Sequence, residues 1–148
     1  MDQLSQYTVL IPAYNARTTI EETLDSIQKQ DIIGSVRIIV ADDASTDDTV
    51  DIATKFFEKN NTNSQVWRSE KNGGERKTVN LAFERLRSEG VRWCFVLHAD
   101  DVSKMDWLST LAFEMNAADQ KTVSICSSWD DWYADRIDPG EDRPAPQR

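Results

Sequence analysis

Residues that could do chemistry gather at four places in this sequence, each directly after an apolar run. The first is Pro12-Ala13-Tyr14-Asn15 and the second Asp42-Asp43-Ala44-Ser45. The third runs from Glu70 to Lys77, with Gly73-Gly74 set among Lys71, Arg76 and Lys77, and the fourth is His98-Ala99-Asp100-Asp101. The adjacent carboxylate pairs are the sharpest signal, because neighbouring like charges repel unless something compensates them. An acidic helix start would explain Asp42-Asp43 through the macrodipole, but Asp47 and Asp48 already fill that place. Asp42 and Asp43 are therefore read as acceptors aimed at a ligand N–H. Asp100-Asp101 suits a hard divalent cation: Mg²⁺ or Mn²⁺ at a diphosphate is held by one or two carboxylates, and the phosphates complete the shell. Gly73-Gly74 permits close backbone approach and the basic residues around it could meet phosphates. A solvated helix start after a turn would use the same residues.

Something must bring these segments together. Short, β-branched, mostly continuous apolar runs predict strands near residues 7–12, 36–41, 65–68, 91–98 and 122–127, the pattern of parallel strands covered on both faces. Helices fill the gaps. Ile20, Leu24 and Ile27 share a face, and Thr19 with Glu22 has capping-box spacing. Ser45 with Asp48 forms a second such box ahead of the stripe Val50, Ala53, Phe56 and Phe57. Val79, Phe83 and Leu86 mark a third helix ending near Gly90, and Leu108, Leu111, Ala112 and Met115 a fourth. Strands alternating with helices predict a three-layer α/β/α sandwich on a mostly parallel sheet, with strand order left open. In such sheets ligands bind beyond the carboxyl ends of the strands, where all four polar segments fall.

Composition narrows the partners. The 148 residues carry 17 Lys plus Arg against 26 Asp plus Glu, a net charge of −9, which speaks against nucleic acid or an anionic membrane. No apolar run approaches the roughly 20 residues of a transmembrane segment, and the first residues lack a secretory pattern, so a cytoplasmic protein is expected. Cys94 and Cys126 sit in apolar runs without metal-ligand spacing and read as buried thiols. Residues 1–137 are expected to form one domain. Residues 138–148, with three of the four prolines, are expected to be a flexible tail or a truncation boundary.

Three ordered motifs carry a resemblance: YTVLIPAYN at 7–15, IVADDASTDDT at 39–49 and VLHADDV at 96–102. Together they resemble family-2 glycosyltransferases of the GT-A fold, over about residues 7 to 137. The resemblance implies a nucleotide-sugar-binding domain, with an acceptor that could be a saccharide, a lipid or a protein. Pro12, Ala13, Tyr14 and Asn15 would pack along the nucleoside. Asp43 would accept the uracil N3–H, with Asp42 supporting its loop. Arg76 and Lys77 enter as phosphate contacts from their setting beside Gly73-Gly74, not from the resemblance. His98, Ala99 and Asp100 would form the DxD-type motif, with Asp100 as the ligand of Mn²⁺ or Mg²⁺ and Asp101 or His98 as alternatives.

Two departures accompany the resemblance. His98 stands where such motifs usually carry Asp, and it could bond a ribose hydroxyl, donate a nitrogen to a metal, or simply pack. The general base of such enzymes lies in an acceptor-binding half beyond this stretch, so Asp130 or Asp131 is the only local candidate and falls early. A missing C-terminal half or a partner chain would then supply the base. The sequence thus leaves two functions open, a sugar-nucleotide transferase (or its donor-binding part) and a non-catalytic nucleotide-binding module. A phosphoacceptor receiver domain is excluded, because its acidic pair follows the first strand and a Lys follows the fifth.

Overall fold

The computed structural model describes residues 7–32, 36–60, 63–119, 121–122 and 124–125, with backbone elements at 130–133 and 136–139. In chain order the elements are β1 (Tyr7–Ala13), α1 (Ile20–Gln28), β2 (Val36–Asp42), α2 (Thr49–Asn60), β3 (Gln65–Arg68), α3 (Glu75–Ser88), β4 (Phe95–Val96), α4 (Trp107–Ala117), β5 (Asp130–Tyr133) and β6 (Arg136–Pro139). They fall into two compact units, residues 1–109 and 110–148. In the second, β5 and β6 pair antiparallel from Asp130↔Pro139 to Tyr133↔Arg136.

The first unit is built on a four-stranded sheet in the order β3-β2-β1-β4, every pair parallel. β1 and β2 run side by side over seven residues, from Tyr7↔Val36 to Ala13↔Asp42, which brings Ala13 and Asp42 to the same edge. Their interior residues, Val9, Leu10, Ile11, Ile38, Ile39 and Val40, are all 1% exposed or less. Burial on both faces is why these strands read as continuous apolar runs. Leu10, Ile39 and Ala41 pack with Ala82 and Leu86 of α3 on one face. By pleat alternation Val9, Ile11, Ile38 and Val40 turn to the other face, the side of α1 and α2, which pack on one another. α1 earns its place through Ile20, Leu24 and Ile27, each with no exposed surface.

The chain order matters for the site. β1 has β2 on one side and β4 on the other, so the chain runs from β1 outward through β2 to β3 and then crosses back to β4 on the opposite side of β1. That reversal opens a crevice beyond the strand ends, the usual ligand position in such sheets.

Several local expectations change. Thr19 caps α1 by position but makes no side-chain cap bond. Ser45 accepts the Asn15 N–H instead of capping α2, and Asp47 Oδ1 takes the Thr49 N–H. Phe83 is 40% exposed while Ala82 and Leu86 are buried, so the inward face of α3 is one residue off the expected stripe. β4 shrinks from the expected 91–98 to Phe95–Val96. Thr122, Ser124 and Ile125 take no strand assignment, and the rest of the strand expected at 122–127 lies outside the described residues. β6 crosses residue 138, where the tail was expected to begin.

Leu86→Ala is expected to cost about 2–5 kcal/mol, as large-to-small core changes do. Phe83→Ala should cost about 0.5 kcal/mol or less, as surface changes do. Urea unfolding of both variants distinguishes this α3 orientation from one that buries Phe83.

Candidate functional site

A cavity of about 500 Å³ lies at the switch between β1 and β4. Its wall comes from three strand ends and one helix start. The β1 end and the following loop give Pro12, Ala13, Tyr14, Asn15, Ala16, Thr18 and Thr19, and the residue just after β2 is Asp43. The start of α3 gives Asn72, Gly74, Glu75 and Thr78, and the segment after β4 gives His98, Ala99 and Asp100. The volume suits a ligand of cofactor size. Among the described residues, none on this wall is Lys or Arg.

Asp43 organises one side. It is 3% exposed, and both of its oxygens are engaged. Oδ1 accepts from Gly73 N–H at 2.8 Å and Thr78 Oγ1 at 2.8 Å, and Oδ2 accepts from Gly74 N–H at 2.8 Å. Burial pushes the Asp43 carboxyl up, but these bonds and the positive charge of Lys77 outweigh it and hold the pKa below the ordinary carboxylate value. A carboxylate offers about four acceptor positions, so one remains for a ligand. Gly74 has φ +84°, a conformation L side chains rarely adopt, and that geometry lets successive amides point at Asp43.

The residues after Asp43 hold the other side. Asn15 N–H donates to Ser45 Oγ at 2.9 Å, Ala16 N–H to Thr49 Oγ1 at 2.8 Å and Arg17 N–H to Asp47 Oδ2 at 3.1 Å. Asn15 Oδ1 accepts in return from Thr46 N–H at 2.8 Å. Burial raises the Asp47 carboxyl, but its bonds with Thr49 and Arg17 overcome that and leave it below the ordinary value. Between these anchors Ala44 sits at φ +59° and Asn15 at φ +50°. Asn tolerates that region, whereas Ala pays about 1–2 kcal/mol there. This strain turns Asp43 toward one loop and Ser45 toward the other.

Asp42 plays a different part from the one expected of a ligand acceptor. Its side chain is fully buried, accepts the Ser45 N–H at 3.0 Å and lies 3.4 Å from Arg68 Nε. It is absent from the cavity wall. Arg76 and Lys77 line an adjoining depression that shares only Gly74 and Glu75 with the cavity. Asp101 is exposed and stands outside the wall, its N–H donating to His98 O at 3.1 Å. Asp130 and Asp131 belong to β5 in the second unit, and their side chains lie outside the described residues. Burial pushes the Cys94 thiol up to about 11, which makes it unreactive, and Cys126 lies outside the described residues.

Glu75 is the residue the motifs did not flag. Its carboxylate lies 3.4 Å from His98 Nδ1 across the cavity. Its signal was present in the sequence as the first residue after Gly73-Gly74, but which strand lay opposite was not readable. Among the described residues no three His, Cys, Asp or Glu side chains converge as a preformed metal cage would need. Asp100 and His98 on one wall fit a divalent cation whose remaining ligands come from a phosphate-bearing molecule.

The family model for glycosyl transferase family 2 matches residues 8–139. The chain belongs to this family. Within it, the chain is 34% identical over 112 residues to the poly(ribitol-phosphate) β-N-acetylglucosaminyltransferase TarS of Staphylococcus aureus, covering 74% of this chain and 19% of TarS. It is 37% identical over 101 residues to the putative teichuronic acid biosynthesis glycosyltransferase TuaG of Bacillus subtilis, covering 68% of this chain and 38% of TuaG. The fold matches the S. aureus TarS 1–349 structure in complex with UDP-GlcNAc at a TM-score of 0.64 and 31% identity, over 75% of this chain and 31% of that one. It also matches the Pyrobaculum calidifontis mannosyltransferase PcManGT in complex with GDP-Man and Mn²⁺ at a TM-score of 0.61 and 25% identity, over 72% and 31% of the two chains. The three-layer GT-A-type sandwich is thus shared with glycosyltransferases. The chain spans between a fifth and two fifths of the length of these curated relatives.

Asp43→Ala should destabilise the fold by about 1.5–3 kcal/mol at pH 7, the size of lost bonds to a charged group. Because the folded pKa lies below the unfolded one, this contribution is present above the ordinary carboxylate range and disappears as pH falls through the lowered value. The stability gap between parent and variant, read from urea unfolding, should therefore narrow below about pH 4. Ala44→Gly should be neutral or stabilise by up to about 1 kcal/mol through relief of the left-handed backbone, measured the same way.

Proposed function

We propose that this chain is the donor-binding part of a glycosyltransferase that takes its sugar from a nucleoside diphosphate sugar, most simply a uridine diphosphate-linked one. The observation that carries the reading is the cavity at the β1–β4 switch, where Tyr14, Asp43 and Asp100 share one wall. The TarS structures in complex with UDP and with UDP-GlcNAc support the choice of nucleotide.

In this reading Tyr14, half exposed at the cavity rim, and Pro12 to Asn15 pack along the nucleoside. The acceptor position left on Asp43 receives the base N–H. Asp42 works one step removed by holding Ser45 and hence the turn. The diphosphate reaches the His98–Asp100 end. A dianionic group there faces Asp100 and Glu75, with no Lys or Arg among the described residues of the wall, so binding calls for a cation. Asp100 would hold Mn²⁺ or Mg²⁺, with His98 beside it, Nδ1 toward Glu75. The bound cation supplies charge stabilisation to the leaving diphosphate. A nitrogen donor leans this site toward Mn²⁺. Arg76 and Lys77 stand as outer contacts to the phosphates. No helix among the described residues is long and apolar enough to cross a membrane, and a half-buried, unreactive Cys94 suits our assignment to the cytoplasm. We take residues 1–137 as the functional domain.

Transfer to a saccharide, lipid or protein acceptor needs a positioned general base and an acceptor pocket as well. General-base catalysis alone contributes about 10²–10⁴-fold. We therefore expect the 148 residues to bind donor and to transfer sugar slowly, with a further segment or partner chain supplying the base.

Calorimetry with uridine diphosphate, with and without Mn²⁺, tests the donor site. The parent should bind, and Asp100→Asn should weaken Mn²⁺-dependent binding at least about 10-fold while uridine binding holds. No binding by the parent would overturn the assignment. Unchanged metal dependence would move the ligand role to Asp101 or His98. Acceptor-stimulated release of uridine diphosphate at about 1–10³ per second would contradict slow transfer and make Asp130 and Asp131 the first candidates for the base.

A further inference from the structure

The segment that carries Asp100 is poorly held by the sheet. Among the described residues, β4 pairs with β1 alone, over Val9↔Phe95 and Leu10↔Val96, with one further bond from Leu97 N–H to Leu10 O at 3.1 Å. From His98 to Asp106 the chain forms no helix or strand, and Val102 and Met105 are 44% and 68% exposed. A loop of this kind has little apolar burial to fix it.

It is fixed instead from α1. Gln30, 3% exposed, lies just past the end of that helix. Its Nε2 donates to Lys104 O at 2.6 Å and lies 3.0 Å from Ser103 Oγ, and its Oε1 accepts the Leu108 N–H at 2.8 Å. Leu108 is the second residue of α4, so its amide is one of the four a helix start leaves unsatisfied. Gln30 therefore supplies from another helix the acceptor that an N-cap residue would ordinarily supply. Ser26, four residues earlier on the same face of α1, adds to the lock. Its Oγ lies 3.0 Å from Ser103 Oγ and accepts the Ser103 N–H at 3.1 Å. Asp31 N–H donates to Met105 O at 3.2 Å. A primary amide is the one side chain able to donate twice and accept in this geometry, and leaving a buried partner unmade is costly.

We infer that Gln30 is the positioning residue for the His98–Asp106 loop: it sets where Asp100 stands relative to the cavity and thereby tunes affinity for the diphosphate, while the nucleoside end is left alone. The inference rests on the reading of Asp100 as the residue facing the diphosphate. It makes Gln30, outside every motif and absent from the cavity wall, a determinant of donor affinity.

Two measurements on the 148-residue chain test it, with Gln30→Met as a variant of similar volume and Ser103→Ala as a milder one. The first is native-state amide hydrogen exchange, which needs no ligand. The Ser103 and Leu108 amides should exchange faster in Gln30→Met, by about 10-fold or more, while Ile11 and Val40 keep their rates. Acceleration of all amides alike, or of none, overturns the lock. The second is the ratio of uridine diphosphate affinity with Mn²⁺ to uridine affinity without it. The ratio should fall about 10-fold in Gln30→Met, the size of losing a ligand's support, and less in Ser103→Ala. An unchanged ratio in a parent that binds overturns the inference, whereas a simple loss of stability would lower both affinities together. If the parent binds no uridine diphosphate, the donor reading fails and hydrogen exchange alone decides the role of Gln30. If Gln30→Met does not fold, Ser103→Ala decides by the same two readouts.

Discussion

The carboxylate of Asp43 gathers three donors from a glycine pair and a threonine, and the site takes its shape from that clamp. A parallel sheet holds its strands by backbone ladders but offers its connecting loops none. The loops at the carboxyl edge must then be held by side chains. Here the end of β2 does that work in both directions. Asp43 reaches forward to the start of α3, and Ser45, Asp47 and Thr49 reach back to the loop after β1. The left-handed turn at Ala44 lets one short stretch face two ways. Charge repulsion between Asp42 and Asp43 is handled by separate partners, Arg68 for the first and backbone amides for the second.

This arrangement divides the cavity into unequal ends. Tyr14 and Asn15 lie on a loop tied to β2 by several hydrogen bonds, so the end they line is stiff. The His98–Asp100 end follows a strand of two residues and owes its position to the remote amide of Gln30. Strand order explains the difference. β1 and β2 sit in the middle of the sheet with seven paired residues, whereas β4 lies at an edge among the described residues.

Much of the fold was legible because burial on both faces leaves a strong mark. Val9 to Ile11 and Ile38 to Val40 are continuous apolar runs for the same reason that they are central strands. The Ile20, Leu24 and Ile27 stripe marked α1 equally well. Legibility failed where a side chain's partner lies far away in sequence. Ser45 and Asp48 have the spacing of a capping box, yet Ser45 is committed to Asn15, thirty residues off. Phe83 looked like core by its period, but the face of α3 is chosen by contact with Leu10 and Ile39. Among the site residues, the strand-end segments were legible as polar punctuation after apolar runs. That Asp42 turns inward, that Glu75 meets His98, and that Arg76 and Lys77 fall in a neighbouring depression all depend on strand order and helix rotation, which no local pattern encodes.

The acidity of the chain now has a local meaning. A wall that includes Asp43, Glu75 and Asp100, without Lys or Arg among its described residues, would repel a diphosphate if every carboxylate faced it bare. Asp43 does not, because three donors already compensate its charge. Glu75 is turned toward the His98 imidazole. Asp100 is the carboxylate left without such compensation on the wall, and it is the one the proposed cation would neutralise. Under this division of roles a neutral nucleoside can be recognised by hydrogen bonds and packing at one end, whatever the salt or metal present. The charged half of the ligand would then be admitted only together with a cation, so affinity for the whole donor would become conditional on metal in a way that affinity for the nucleoside would not.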